Sequence, residues 1–403
     1  MKIKLPFTKK EKQSQKNTPA LVFDFGTESV KVLLCNYVED RVEILDGAKV
    51  KYNLGGINLD QNFLSQNLVE QLSGPVKSLI DKSKNPVKLA VIGIGGLTVE
   101  GYTSKINYRR VNENKEITET EFKEILKRVE ERADQIMRKT IAWETAESEV
   151  VALISSEVLD ISLGGYSMAT PVGSNGEKLS FVVYNSYTKE KNLKTIVETV
   201  KNLGLQVVSV TVDSYAVMRV VVDSQGESVS AVVLDIGAKT TDVGIIDAGR
   251  ILGHAGLDLA GSSFTQSIAE ELHKEIPEAE AAKFAFASAK LDGDIMKEVR
   301  GAVASDCKVF VSGVELVLKE FPGLSGIPDK VYLVGGGSLL PGIIAGLQSS
   351  TWGESGEYES WLRADNLLPK DIEGFVDLTG QLNSSADVPI LSVALDSIDL
   401  FTG

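Results

Sequence analysis

The 403-residue chain is 43% hydrophobic and 24% charged, and its formal net charge is −14. This length allows two to four domains, and the composition is typical of globular proteins. The acidic balance argues against nucleic-acid binding, and two well-separated cysteines, Cys35 and Cys307, exclude a disulfide framework. We find no apolar run of about 18 residues and no signal sequence, so we expect no transmembrane helix.

The chain begins with a basic segment, residues 1–18, which contains six lysines and one glutamate. Its composition and its lack of helical periodicity predict disorder. Two interpretations are open: a solubilising extension, or a weak tether to anionic lipid, for which each lysine would contribute about 1 kcal/mol near the surface.

The next feature is a predicted hairpin, Ala20–Leu34, in which a polar turn separates two apolar, β-favouring runs. A glycine in such a turn lets the backbone approach a ligand, and exposed amides and hydroxyls bind phosphate oxygens. A carboxylate there would bind Mg²⁺ through water rather than phosphate directly. The residues of these kinds, with one lysine, are Asp24, Gly26, Thr27, Ser29 and Lys31.

Predicted strands and helices then alternate up to residue 221, an order that fits an α/β protein. No G-x-G-x-x-G fingerprint and no complete Walker P-loop occurs. The predicted strands are Arg41–Val50, Val87–Gly95, Val150–Ser155, Ser167–Thr170, Leu179–Tyr184 and Gln206–Val212. The predicted helices are Asn58–Lys82, one from Ile117 to about Lys139 with Thr118 as its N-cap, Lys189–Leu203 and Asp213–Val221.

A second hairpin of the same form is predicted at Ala231–Gly249. Two Asp-x-Gly hairpins in one chain predict a duplicated domain in which each half supplies one phosphate-binding turn. The polar residues and the glycine of this second turn are Asp235, Gly237, Lys239, Thr240, Thr241 and Asp242.

A third stretch, Lys330–Ile343, predicts a strand that runs into a glycine triplet and then a helix start. The glycines, Gly335, Gly336 and Gly337, would let a flat base or ribose pack against the backbone. Further helices are predicted at Leu259–Leu272, Val299–Phe321 and Pro389–Leu395, and the last part of the chain also contains Trp352 and Trp361.

The two hairpins and the glycine triplet, in this order, resemble the phosphate-1, phosphate-2 and adenosine motifs of the actin-like ATPase superfamily. The resemblance implies an α/β, actin-like (RNase H-like) fold of duplicated lobes around an interdomain nucleotide cleft, with ATP and Mg²⁺ as cofactors. Asp24 and Asp235 would face each other across Mg²⁺. Asp213 is a candidate for positioning Mg²⁺ or the attacking water, or alternatively a helix N-cap. Glu280 and Lys283 resemble the superfamily's A-E-x-x-K segment and would lie near the ribose. The residues implied to hold phosphate are Thr27, Ser29, Lys31, Thr240 and Thr241.

Residues Met168–Leu179, and the strand–helix–strand pattern after them, resemble the inserted α+β subdomain (SHS2 domain) of FtsA, the bacterial actin homologue that tethers FtsZ to the membrane. PilM of the type IV pilus machinery is similar in this respect. The resemblance covers roughly residues 20–400. It implies a division into 1–18 (basic tail), 19–98 (first part of lobe I), 99–212 (inserted subdomain with flanking segments) and 213–403 (lobe II, with the last helix returning to lobe I).

The resemblance implies a cytoplasmic adaptor, peripheral at the inner face of the plasma membrane, that links FtsZ-type filaments to the membrane in cell division. ATP would serve as a conformational or polymerisation switch, with self-association into filaments and slow hydrolysis both open. The alternative is a PilM-like scaffold of type IV pilus assembly that grips the N-terminal segment of a PilN-type protein. A third hypothesis is a small-molecule kinase on this fold, for which we find no catalytic base and no acceptor pocket.

Two features depart from the FtsA pattern. FtsA proteins usually continue to a C-terminal amphipathic helix, and none is predicted near Gly403, so we expect the lysine-rich segment or a membrane-bound partner to replace it. Ala238 and Lys239 stand where FtsA typically has glycines. Lys239 would then either add a phosphate contact or crowd the turn.

Overall fold

The computed structural model describes residues 17–52, 65–96, 99–144, 150–226, 228–321, 326–349 and 362–402. Residues 1–16 of the basic segment, the start of the helix predicted from Asn58, and both Trp352 and Trp361 lie outside these ranges. A search of the described helices finds none that is both long and apolar enough to cross a membrane.

The described residues form an α/β fold in which strands and helices alternate along most of the chain. The strands are β1 (Thr18–Phe25), β2 (Ser29–Val38), β3 (Arg41–Lys51), β4 (Leu89–Ile94), β5 (Val99–Arg109), β6 (Val151–Leu163), β7 (Tyr166–Ser167), β8 (Lys178–Lys189), β9 (Gln206–Val212), β10 (Ala231–Ile236), β11 (Thr241–Asp247), β12 (Arg250–Leu257), β13 (Lys330–Val334), β14 (Arg363–Asn366) and β15 (Phe375–Asp377). The helices are α1 (Ser65–Lys82), α2 (Glu119–Glu144), α3 (Glu190–Asn202), α4 (Asp213–Gln225), α5 (Gly261–Leu272), α6 (Ile276–Ala287), α7 (Gly293–Glu320), α8 (Ile343–Gln348), α9 (Val388–Asp396) and α10 (Asp399–Thr402).

Two sheets share one topology, which makes the duplication visible strand by strand. In the first sheet β3, β2 and β1 are antiparallel neighbours, and β4 and β9 continue in parallel beside β1. In the second sheet β12, β11 and β10 are antiparallel neighbours, and β13 and β14 continue in parallel beside β10. The first sheet therefore defines lobe I, and this half of the second sheet defines lobe II.

The central strands are buried on both faces, as their continuous apolar sequences predict. Residues 20–23 of β1 and residues 231–234 of β10 are all at most 1% exposed. Helices α4 and α9 contribute to the core of lobe I, and α5 and α7 contribute to the core of lobe II. The core around α4 therefore continues onto one face of the lobe II sheet, through residues such as Val233 and Ile246, while the other face of that sheet packs on α5 and α7.

An inserted subdomain, formed by β5, α2, β6, β7 and β8, leaves the chain between β4 and β9 of lobe I. Its strands nevertheless extend the sheet of lobe II, because β5 pairs with β12 at Gly253↔Tyr102 and His254↔Gly101. Its own apolar core lies between α2 and these strands. The insertion is therefore connected covalently to one lobe and by hydrogen bonds to the other.

A buried arginine stabilises the segment that leads into α2. The Arg110 side chain is 0% exposed, and its guanidinium donates to both carboxylate oxygens of Glu121 over 2.8 and 2.9 Å. It also donates to the carbonyls of Gly176 (2.9 Å) and Lys115 (3.0 Å). The predicted N-cap is confirmed, since Glu121 N–H donates to Thr118 Oγ1, but the Glu121 side chain is used by Arg110 rather than by a capping box.

Several predicted bounds differ from the structure. The strand predicted at Ser167–Thr170 is wrong, because Gly164 and Gly165 form a turn with positive φ and the return strand β7 already ends at Ser167. The strand predicted at Val150–Ser155 continues to Leu163. Strand β5 was not predicted, since its polar sequence lacks an apolar run.

We predict that Arg110→Met lowers the free energy of unfolding by about 2–4 kcal/mol, because Glu121 and two carbonyls lose a charged donor. Urea denaturation followed by circular dichroism measures the loss. Arg109→Met is the matched control, since Arg109 is the next residue, its side chain is 77% exposed and its ion-pair partner is Glu177. We expect the control to lose less than about 1 kcal/mol; equal losses in both variants would contradict the assignment.

Candidate functional site

Each lobe contributes one hairpin turn to the cleft, and the two turns have the same hydrogen-bonded form. Gly26 N–H donates to the Ser29 carbonyl over 3.1 Å, and Gly237 N–H donates to the Thr240 carbonyl over 2.9 Å. A Cβ at these glycines would lie only 3.3 Å from Ser29 O and 3.0 Å from Thr240 O. Close approach of the backbone therefore explains glycine at both positions.

The tips of the two turns touch across the boundary between the lobes. The backbone N–H of Lys239 donates to Thr27 Oγ1 over 3.3 Å. Within the described part of the chain, the backbone N–H groups of Thr27, Glu28 and Ala238 have no acceptor. Uncommitted amides on facing turns are suited to bind phosphate oxygens.

The residue opposite the turn aspartate differs between the two hairpins. Asp24 lies opposite Lys31 on β2, whereas Asp235 lies opposite Asp242 on β11. Lys31 Nζ is 3.0 Å from Asp24 Oδ2 and donates to the Ala386 carbonyl over 2.8 Å. The first hairpin thus carries an ion pair where the second carries two carboxyl groups.

Burial of the cleft carboxyl groups raises their pKa values, and their crowding adds to the rise at two of them. Burial raises the pKa of Asp235 to about 7, with a further rise from Asp242 and an opposing effect of Lys31. Burial raises the pKa of Asp242 to about 6, against the lowering effect of the hydrogen bond from Gly96 N–H. Burial also raises the pKa of Asp213 well above its ordinary value, and the neighbouring aspartates add to the rise.

Asp213 is placed in the cleft by the start of α4. Val212 occupies the N-cap position and Asp213 makes no capping hydrogen bond, so the alternative interpretation of Asp213 as an N-cap is wrong. Its carboxyl lies against the end of β4, where a Cβ on Gly93 would overlap Asp213 Oδ1 and a Cβ on Gly95 would lie 3.1 Å from Asp213 Oδ2. Glycines at the end of β4 therefore make room for this carboxyl group.

One cleft contact was not assigned from the sequence. Gly96, at φ +100°, donates its N–H to Asp242 Oδ2 over 3.2 Å, which joins the end of β4 in lobe I to β11 in lobe II. Asp242 is 4% exposed. The glycine-rich run after β4 was the available signal, but its partner on another strand was not readable from spacing.

The predicted glycine triplet follows β13 and lies against the second hairpin. A Cβ on Gly335 would overlap Asp235 Oδ1, and one on Gly337 would overlap the Ile236 side chain. Gly335, at φ +83°, also donates its N–H to the Ser385 carbonyl over 3.0 Å. The triplet thus lies against the Asp235 carboxyl and next to the segment whose Ala386 carbonyl binds Lys31.

Glu280 and Lys283 belong to a polar cluster beside the second turn. Lys283 Nζ donates to the Gly261 carbonyl and to Thr265 Oγ1, each over 2.7 Å, and lies 2.8 Å from Glu280 Oε2. Gly261 N–H in turn donates to the Gly237 carbonyl over 3.2 Å. The structure therefore brings this predicted pair to the same turn.

Thr241, a predicted phosphate ligand, donates its hydroxyl proton away from the cleft. The residue is 0% exposed, and its Oγ1 donates to the Leu259 carbonyl over 2.7 Å. Thr240, 6% exposed, lies at the turn itself. Thr241 therefore supports the segment that leads into α5 rather than lining the cleft.

The acidic residues suit a hydrated cation better than a bare one. Asp213 Oδ1 and Asp242 Oδ1 are buried without a hydrogen-bond partner, while the Asp213 and Asp24 carboxyl groups lie within hydrogen-bond reach of each other. Among the described residues, however, no group of three or more acidic, histidine or cysteine side chains forms a metal cage. Orphaned carboxylate oxygens of this kind fit the water ligands of Mg²⁺, which keeps several waters when bound with phosphates.

Comparisons with known proteins point to one family. The family model "Type IV pilus assembly protein PilM" matches residues 147–354, slightly more than half of the chain. No curated protein matches the sequence.

Solved structures extend the likeness to the whole fold. A PilM–PilN type IV pilus biogenesis complex is 18% identical, with 96% of this chain and 99% of that chain covered and a TM-score of 0.65. The ethanolamine utilization protein EutJ from Carboxydothermus hydrogenoformans is 15% identical, with 98% and 92% covered and a TM-score of 0.49. MreB5 of Spiroplasma citri bound to ADP is 11% identical, with 96% and 97% covered and a TM-score of 0.48. The likeness to the PilM–PilN complex, together with the family match, confirms the predicted actin-like α/β fold.

On the sequence alone, the FtsA hypothesis came first. The comparisons instead favour the PilM hypothesis. Neither the family match nor the structural likeness supports an FtsZ partner or a division role. The motifs in the two hairpins are shared by the superfamily, so they do not distinguish its members.

The raised pKa values of Asp235 and Asp242 predict a pH-dependent stability. Folding raises both pKa values above 3.8, so the folded state binds protons more tightly than the unfolded state. The stability that the protonated carboxyls give below about pH 4 is therefore lost as the pH rises to about 7. We expect Asp235→Asn and Asp242→Asn each to raise stability at pH 8 by on the order of 1–3 kcal/mol. Thermal unfolding between pH 4.5 and 8 measures this change.

Asp46→Asn is the control of opposite sign. Burial acts to raise the pKa of Asp46, but hydrogen bonds from Lys82 and Gly47 N–H lower it overall. Its stabilising effect is therefore present above about pH 4 and lost in acid, so the Asn variant should be less stable at pH 8. A loss of stability at pH 8 in Asp235→Asn or Asp242→Asn, like that expected of Asp46→Asn, would contradict the raised pKa values.

Proposed function

Because the chain belongs to the type IV pilus assembly protein PilM family, we propose that it is an actin-like, ATP-binding scaffold at the cytoplasmic face of the inner membrane. It binds Mg²⁺·ATP between its two lobes and holds the N-terminal segment of a PilN-type membrane protein. The observation that carries the nucleotide site is the meeting of the two turns, with uncommitted amides beside a partly buried Asp24–Lys31 ion pair.

The phosphates would lie between the turns 26–29 and 237–240. The free amides of both turns and the Thr27 and Thr240 hydroxyls supply donors, and the Lys31 ammonium supplies a charge. Mg²⁺ bound with the nucleotide would neutralise phosphate charge, and Asp24, Asp235 and the orphaned oxygens of Asp213 and Asp242 would accept from its water ligands.

The base and ribose would lie on the lobe II side of the cleft. The Gly335–Gly337 backbone packs closely on Asp235 and Ile236. The Glu280–Lys283 pair supplies a carboxylate and an ammonium that are joined through Gly261 to the second turn. Nucleotide binding between two lobes favours lobe closure. The proposed role of ATP is therefore to select a conformation that holds or releases the partner, and hydrolysis need only be slow.

The PilN-type partner is supported by the family match and by the likeness of the described fold to the PilM–PilN complex, which extends over 96% of the chain. Recruitment by a membrane protein also supplies the membrane contact, without a requirement for lipid binding by the chain itself.

We predict that Lys31→Met weakens Mg²⁺·ATP binding by about tenfold or more, because a charged donor to phosphate is lost and Asp24 is left unpaired. Isothermal titration calorimetry measures the affinity, and circular dichroism verifies the fold. Lys105→Met, on β5 of the inserted subdomain, is the control and should bind as the unmodified protein does. Unchanged affinity in Lys31→Met would remove Lys31 from the site.

The partner prediction is tested with two peptides: the N-terminal cytoplasmic segment of the host's PilN-type protein and the C-terminal peptide of its FtsZ. We expect the purified chain to bind the first, with an affinity that Mg²⁺·ATP changes, and not the second. Fluorescence anisotropy of labelled peptides measures both, with scrambled peptides as controls. Binding of the FtsZ peptide alone would overturn the pilus assignment in favour of a division adaptor.

A further inference from the structure

An aromatic ring on lobe II contacts a lysine from lobe I at the edge of the cleft. Phe284 of α6 is 53% exposed. Lys51 Nζ, at the end of β3, lies 5.6 Å from the centroid of the Phe284 ring, and Lys283 Nζ lies 5.7 Å from it. Both distances are within the range of cation–π attraction. The Phe284 ring therefore lies near one lysine from each lobe, Lys51 from lobe I and Lys283 from lobe II.

Lys51 is fixed to the first turn. It lies opposite Ser29 in the β2–β3 pairing, and its Nζ is 3.6 Å from Glu28 Oε1 within that turn. Glu28 and Ser29 are two of the four turn residues. A displacement of the first turn therefore moves Lys51 with it.

Phe284 is fixed to the second turn in the same way. It follows Lys283 on α6, and Lys283 Nζ donates to the Gly261 carbonyl over 2.7 Å. Gly261 N–H donates to the Gly237 carbonyl over 3.2 Å, and Ser262 N–H donates to the Ala238 carbonyl over 2.6 Å. The second turn, the start of α5 and the Phe284 ring are thus joined through three hydrogen bonds.

Separation of the two turns therefore moves the Lys51 backbone away from Phe284 and weakens their contact. The turn tips are in contact in this structure, through Lys239 N–H and Thr27 Oγ1. A ligand that enters or leaves between the tips must open this contact. We propose that Lys51 and Phe284 form a clasp that holds the nucleotide cleft closed and slows nucleotide release, an inference that rests on the proposed nucleotide site.

The clasp is exposed, which sets the size of its effect. Lys51 is 57% exposed at its side chain, so its attraction to the ring is of the weak, solvent-screened kind. Contacts of this kind change a rate by roughly two- to fivefold. The clasp therefore tunes release rather than blocking it.

The test measures release of N-methylanthraniloyl-ATP with Mg²⁺ from the purified full chain, chased with excess ATP in a stopped-flow instrument. The variants are Lys51→Met, Phe284→Leu and the double variant. Lys297→Met, an exposed lysine on α7, is the control. We expect each single variant to release the nucleotide about two- to fivefold faster. The double variant should be no faster than the faster single variant, because the two substitutions remove the same contact.

Other outcomes are informative. No acceleration in either single variant, or effects that multiply in the double variant, would overturn the clasp. Acceleration in Phe284→Leu alone would overturn it in favour of a direct contact between the ring and the nucleotide.

If the unmodified chain binds no nucleotide, the proposed nucleotide site fails, but the clasp is still tested by hydrogen exchange without ligand. We then expect the amides that donate across the lobe boundary, Lys239 N–H to Thr27 and Gly96 N–H to Asp242, to exchange about two- to fivefold faster in both single variants. Unchanged exchange in both would overturn the clasp independently of the nucleotide.

Discussion

The constraint on which the cleft depends is the burial of several carboxyl groups around one ammonium. Lys31 forms an ion pair with Asp24. Burial acts to lower the pKa of Lys31, but Asp24, Asp235 and Asp213 raise it overall. Burial raises the pKa values of Asp213, Asp235 and Asp242, and neighbouring carboxylates add to the rise at Asp213 and Asp235 against the lowering effect of Lys31. The cleft therefore retains unsatisfied acceptors, which is costly in a closed protein and useful in one that binds a hydrated cation with phosphates.

The duplicated sheets give this charge arrangement its asymmetry. Both hairpins present an aspartate, a glycine turn and a partner residue in the same register, yet the partner is Lys31 in one and Asp242 in the other. The scaffold is thus symmetric while its electrostatics are not. An elongated, charged ligand between the turns would meet a cation on one side and a second acid on the other, so its orientation would be fixed by charge as well as by shape.

Local signals made the hairpins and the turn glycines predictable, because strand ends and tight turns are encoded over few residues. Asp213 was proposed only from the resemblance to the superfamily. Asp242 was recognised as a second carboxylate of the hairpin but was given no role. Its contact with Gly96 joins residues 146 positions apart, which no local pattern indicates. The attachment of the inserted subdomain to β12 was not predicted for the same reason: the pairing covers only two residue pairs and has no pattern of its own. The superfamily motifs could not separate PilM from FtsA, because they specify nucleotide chemistry rather than the partner.

The inserted subdomain is nevertheless placed to respond to the cleft. Asp213 begins α4, and two residues later the Tyr215 hydroxyl donates to Glu157 of β6 over 2.7 Å. The Tyr215 ring also stacks on Tyr184 of β8 with centroids 4.6 Å apart, and Tyr184 is hydrogen-bonded to His254 of β12. A shift at the start of α4 cannot be absorbed by solvent here, since these groups are buried and must keep their partners. Under the proposed function, the first helical turn of α4 therefore carries a change at the nucleotide into the inserted subdomain.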